Sequence, residues 1–125
     1  MLHRILDEIA RTGTSHDPAV LKRVLLAKED GIPGVLQLAV SELQPGQRVL
    51  PHAHVDLWEI FLVRKGSMTL EVDGQEQVLG VGHMAVVPPP CSHGVACRGD
   101  TTLELLVLGV RGDPPLDDDE SARTA

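Results

Sequence analysis

The chain has 125 residues, 42% of them hydrophobic and 23% charged, enough for one domain with one core. Its net charge of −7 argues against nucleic acid or an anionic membrane as partner, since both need a positive footprint. A small anionic ligand is not excluded, because a bound cation reverses the local field.

In chain order, Leu2, Ile5, Leu6 and Ile9 recur at helical spacing and predict a short N-terminal helix ending near Gly13. Acid and base among the first eight residues speak against a signal peptide. Thr12 to Pro18 reads as a loop. Pro18 to Leu26 fits either a helix capped by Asp17 or an early strand, with strand favoured from Lys22 onward. Short apolar runs between turns follow: Val35 to Leu43, Val49 to His54, Trp58 to Arg64, Ser67 to Val72 and Gln75 to Leu79. Asp73-Gly74 is the strongest hairpin signal. His83 to Val87, His93 to Cys97 and Thr102 to Leu108 complete the set.

Many short strands at this spacing predict an all-β sandwich or barrel. Residues 1–21 form an N-terminal helical or irregular segment, 22–111 the β domain, and 112–125 a flexible acidic tail. Cys91 and Cys97 are too few for a disulfide scaffold, and no apolar run approaches the length of a membrane span. A reduced, cytoplasmic setting is the default expectation.

The chemistry concentrates in His52, His54, Glu59 and His93. Three imidazoles and one carboxylate suit a divalent transition metal: Mn, Fe, Co, Ni, Cu or Zn. His52 and His54, two apart, share one face of a strand. Mg and Ca prefer all-oxygen sites.

The spacing from Gly46 through five residues to His52, then His54, Glu59 and, after six more, Gly66 resembles the first motif of the cupin superfamily. Gly82, Pro88 and His93 resemble the second, with Pro90 and Cys97 where the family usually has glycine and asparagine. The likeness runs from about Val35 to Leu108. It implies a double-stranded β-helix, or jelly-roll barrel, that holds an ion on His52, His54, Glu59 and His93. The superfamily spans dioxygenases, isomerases, decarboxylases, regulators and storage proteins, so the fold does not name a reaction.

Strand parity puts Phe61 and Val63 beside Glu59 as cavity-lining residues. Met68, Leu70 and Val72 form another inward row, and Met84 and Val86 extend it. Cys97, four after His93, faces inward near the metal; a small buried hydrophobe is the plainer reading. Gln37 is a candidate polar pocket group. Trp58, Ile60 and Leu62 make the same strand apolar on its other face, which predicts a second layer outside, most simply the partner subunit of a homodimer. His3 and His16 read as surface residues and His83 as an exposed turn residue. No second carboxylate or lysine is visibly aimed at the cavity, so no acid–base pair shows. The leading expectation is a metal-dependent oxygenase acting on a small chelating substrate. A metal-dependent metabolite-binding or regulatory protein and a metal isomerase are the alternatives.

Overall fold

The structure, a computed structural model, describes residues 1–115. Its strands are β1 (Thr12–Gly13), β2 (Leu21–Ala27), β3 (Val35–Leu43), β4 (Arg48–His52), β5 (Leu57–Lys65), β6 (Met68–Val72), β7 (Gln75–Leu79), β8 (Met84–Val87), β9 (His93–Ala96) and β10 (Leu103–Arg111). They form a six-stranded sheet in the order β1-β2-β3-β10-β5-β8 and a four-stranded sheet in the order β4-β9-β6-β7. Every pairing is antiparallel. This is the two-sheet jelly-roll arrangement. Among the described residues neither sheet closes on itself, so the expected barrel is a sandwich. Of the tail expected over 112–125, residues 116–125 lie outside the described residues.

One core joins the two sheets. Phe61, Val63, Leu103 and Leu105 of the larger sheet meet Met68, Leu70, Leu79 and Val95 of the smaller. Alternation decides which residues enter it, because successive side chains of a strand point to opposite faces. The Asp73-Gly74 turn joins β6 to β7 with positive φ at both residues, 49° and 83°, the geometry that matches the twist of a hairpin.

The N-terminal helix is not formed. Leu6–Glu8 makes one 3-10 turn, and β1 follows. Side chains hold the segment against the larger sheet instead. Arg4 donates twice to Asp30 and once to the Leu25 carbonyl, Arg11 donates to Glu42, and Asp7 lies 3.5 Å from Arg23. A helix this short is marginal without tertiary support, and here the contacts favour another path. Beneath the segment the Arg23 guanidinium is buried between Glu42 and Glu104, at 3.5 and 3.4 Å.

The outer face of the larger sheet is apolar in two registered rows. Val40, Leu106, Leu62 and Met84 pair across β3, β10, β5 and β8, and Leu38, Leu108, Ile60 and Val86 run beside them. Trp58 continues this face and donates its indole N–H to the Asp113 carbonyl. Among the described residues no helix is long and apolar enough to cross a membrane.

Candidate metal centre

His52, His54, Glu59 and His93 each offer a donor atom, and these atoms lie within 4.8 Å of one another. Three pieces of backbone bring them together. His52 ends β4 and pairs in register with His93, which begins β9. Glu59 stands on β5 in the other sheet. His54 lies just beyond β4, in the loop and not in the expected strand, yet its ring is 4.9 Å from that of His52.

The β4–β9 pairing depends on Gly94. A Cβ there would stand 2.9 Å from both Pro51 N and the Val49 carbonyl, where the register shifts between Val49 and His52. Only glycine lets the two strands approach this closely at the irregularity.

Hydrogen bonds orient two of the rings. Nδ1 of His52 lies 2.9 Å from the Leu50 carbonyl, and Nδ1 of His93 lies 3.1 Å from that of Cys91. Carbonyl oxygens only accept, so each Nδ1 carries the proton and Nε2 is turned to the cluster. His93 Nε2 is 2.8 Å from Glu59 Oε1, and His54 Nε2 is 3.3 Å from the same oxygen. Such backbone partners are the usual means of fixing the tautomer of a metal-ligating histidine.

The charges follow from these contacts. Burial lowers the pKa of His93, but its bonds to Glu59 and the Cys91 carbonyl outweigh that and raise it overall. Burial raises Glu59, and the His93 bond with the three surrounding imidazoles brings it below the usual carboxylate range. Burial is the largest influence on His54 and lowers it. Three nitrogens and one carboxylate oxygen, with no thiolate, fit a divalent transition metal in this space.

The cluster opens into a cavity of about 330 Å³. Phe61 and Gln37 line it, as their parity predicts. Val63, Met68, Leu70 and Cys97 face inward but are core and not cavity wall; the Cys97 thiol bonds to the Thr101 carbonyl. Met84 does not face inward. It is 57% exposed and Val86 45%, while Ala85 and Val87 take the inner face opposite Phe61 and Glu59. The turn through Gly82 sets β8 one residue out of the expected phase. His83 is an exposed turn residue whose Nδ1 accepts from the Gly80 N–H.

Among the cavity residues that were not foreseen, two carry ionisable side chains. His16 is exposed, as expected, but its ring stacks on that of His52 at 3.9 Å between centroids. Burial and the nearby His52 and His54 charges lower its pKa, leaving it neutral at neutral pH. Lys22 also lines the wall and donates to Gln37 Oε1 at 3.1 Å. The parity that Lys22 shares with the buried Val20 was a signal for it. Nothing local signals His16.

Two antiparallel sheets around one core, with a three-histidine, one-glutamate cluster opening into a cavity, define a jelly-roll protein with a candidate divalent-metal site. The cupin-domain family model matches residues 39–109, more than half of the chain, and the chain belongs to that family. No curated protein matches the sequence. Among solved structures, a predicted oxalate decarboxylase from Thermotoga maritima is 25% identical with a TM-score of 0.80, over 89% of this chain and 99% of that one. A cupin-superfamily sugar phosphate isomerase from Silicibacter pomeroyi is 26% identical with a TM-score of 0.74, over 88% and 76%. KdgF from a Halomonas species shares the fold at 20% identity, with a TM-score of 0.69 over 91% and 94%.

Proposed function

We propose that this cupin binds a divalent transition metal and carries out non-oxidative, isomerase-type chemistry on a small oxygen-rich molecule. The observation that carries the reading is a four-donor cluster on a cavity wall that also holds His16, a polar side chain outside the donor set. His52, His54 and His93 would hold the ion through ring nitrogens and Glu59 through a carboxylate oxygen. When bound, the ion supplies Lewis acidity to ligand oxygens. The chain's own residues do the rest. Phe61, Val95 and Val107 form a water-excluding wall around the ligand's carbon frame. His16 presents a ring nitrogen that can exchange a proton with a bound ligand.

Two similar structures support this over an oxygenase. Those at 25% and 26% identity are a predicted oxalate decarboxylase and a cupin-superfamily sugar phosphate isomerase. Both names denote chemistry on small oxygen-rich molecules. The test begins with elemental analysis of native protein. Small hydroxy acids, oxo acids and sugar derivatives are then incubated in deuterated water with the Mn, Fe, Ni and Zn forms. Deuterium incorporation or isomerisation that His52→Ala abolishes is the expected result. Dioxygen uptake with such substrates restores the oxygenase reading. Tight binding without turnover in every metal form makes the chain a metabolite-binding protein.

A further inference from the structure

We propose that the cavity has a second pole, the Lys22 ammonium steadied by Gln37, and that it takes the distal carboxylate of a ligand whose other end chelates the metal. The proposal rests on the metal reading above and names the ligand class: a small dianion with a chelating oxygen pair at one end and a carboxylate at the other.

The first observation is where Lys22 reaches. It pairs in register with Ser41, yet its Nζ bonds to Gln37, four residues away along β3. Four residues of strand span roughly 13 Å. A lysine side chain cannot cover that span alone, so both side chains are stretched along the inner face of the sheet and their tips meet between the two positions, near the level of the small Ala39.

The second is what lies between the poles. Gly109 on β10 pairs with Gln37 on one side and Glu59 on the other. These three positions form one row across three strands, about 10 Å from first backbone to last. The central residue has no side chain, and Leu57 Cδ1 lies over it, 3.1 Å from where a Cβ would stand, so the floor between the candidate metal centre and Gln37 is apolar and carries no competing charge.

The third is charge. Among the described residues lining the cavity, Lys22 is the only lysine or arginine and Glu59 the only carboxylate. Glu59 belongs to the histidine cluster, and among the described residues no carboxylate forms an ion pair with Lys22. A half-buried ammonium bonded to a neutral amide leaves its charge uncompensated. A divalent ion on three neutral imidazoles and one carboxylate leaves one positive charge, and Lys22 adds a second. A dianion neutralises both.

The donors suit a carboxylate. Lysine only donates, so the Gln37 atom it meets is Oε1, and Nε2 keeps both hydrogens. Two N–H bonds remain on Nζ. Neighbouring donors on Lys22 and Gln37 match the two oxygens of one carboxylate.

The test is isothermal titration of manganese-loaded protein with 2-hydroxyglutarate and with 2-hydroxypentanoate. The two share a chelating end and length, and only the first has a distal carboxylate. Wild type is expected to bind the dianion at least about tenfold more tightly, the worth of one charged hydrogen bond. Lys22→Met should bring the two within about twofold by removing that bond, with 2-hydroxypentanoate affinity and metal content unchanged, and Lys22→Arg should restore part of the preference. Equal affinities in wild type, a preference that survives Lys22→Met, or no binding of either acid would overturn the proposal. Failure of the metal reading appears separately, as absence of metal from wild type. The same pair is then titrated into metal-free protein, where a preference lost in Lys22→Met still supports the Lys22 pole and its persistence or absence rejects it.

Discussion

The ring of His16 lies on the ring of His52, 3.9 Å from centroid to centroid, although one belongs to the N-terminal segment and the other to the end of β4. The segment before the first long strand thus forms part of the cavity wall. His16 is not among the four clustered donors. We expect His16→Ala to leave metal content at the wild-type level and to cost about 1 kcal/mol or less of stability, the scale of one ring pair. Elemental analysis and a denaturant melt check this; loss of metal would make His16 a ligand.

Each of His52→Ala, His54→Ala, Glu59→Ala and His93→Ala should lower metal affinity by more than the roughly 10–100-fold that loss of an outer-shell partner costs. The fold should survive, because three of the four positions are only half-buried. Competition with a chelating dye gives the affinities and circular dichroism the fold. Full metal retention by any variant removes that residue from the ligand set.

Gly94→Ala acts on the same site from below. The new methyl meets the backbone of Val49 and Pro51, which cannot swing aside as a side-chain tip can. We expect a loss of about 1–3 kcal/mol, typical of overpacking, with weakened metal binding as His52 and His93 lose register. A variant with wild-type stability would show that β4 shifts freely.

The sign of one pH effect is fixed by the N-terminal anchor. Arg4, with help from the Ala27 N–H, holds the Asp30 carboxyl at about 2 instead of 3.8. A carboxyl lowered on folding contributes stability above its unfolded value and loses it as pH falls through the folded one. The anchor is therefore complete above pH 3.8 and is lost as pH falls toward 2. Carbon-13 titration of Asp30 should show the low value and its return toward 3.8 in Arg4→Ala; an unchanged midpoint would mean that the anchor is broken in solution.

The paired rows of Leu106, Leu62 and Met84, and of Leu38, Leu108, Ile60 and Val86, lead to the expectation of a homodimer, while Val40 at the end of the first row is already buried within the chain. Exposed Met84 and Val86 extend the stripe to the sheet edge. A continuous apolar patch of this kind marks an association surface. Light scattering at micromolar concentration should give twice the 13.4 kDa chain mass, and Val86→Lys should halve it. A wild-type monomer rejects the expectation.

The strands and the ligand set were legible because both are local. β3 and β7 run over the predicted residues, and the histidine–glutamate spacing lies within one stretch apart from His93. The misreadings arise where distant segments decide. Met84 and Val86 have the pattern of a buried row, and one residue of turn geometry sends them outward. Leu2, Ile5, Leu6 and Ile9 have helical spacing, but Asp30, Arg23 and Glu42 tie their segment down in another path. His16 reaches the cavity through a ring contact that no spacing in the sequence encodes.

His52 and His93 stand in the four-stranded sheet and Glu59 in the six-stranded one. An ion held by all three rivets the two layers together at one point. Whatever binds the folded chain and not the unfolded one stabilises it by mass action, about 2.7 kcal/mol at a free concentration a hundred times Kd. The melting temperature of this protein is then a reading of its buffer as much as of its sequence. A preparation made in chelator and one made without it will behave as two proteins, and variants ranked by thermal shift will be ranked partly by how much metal each has kept.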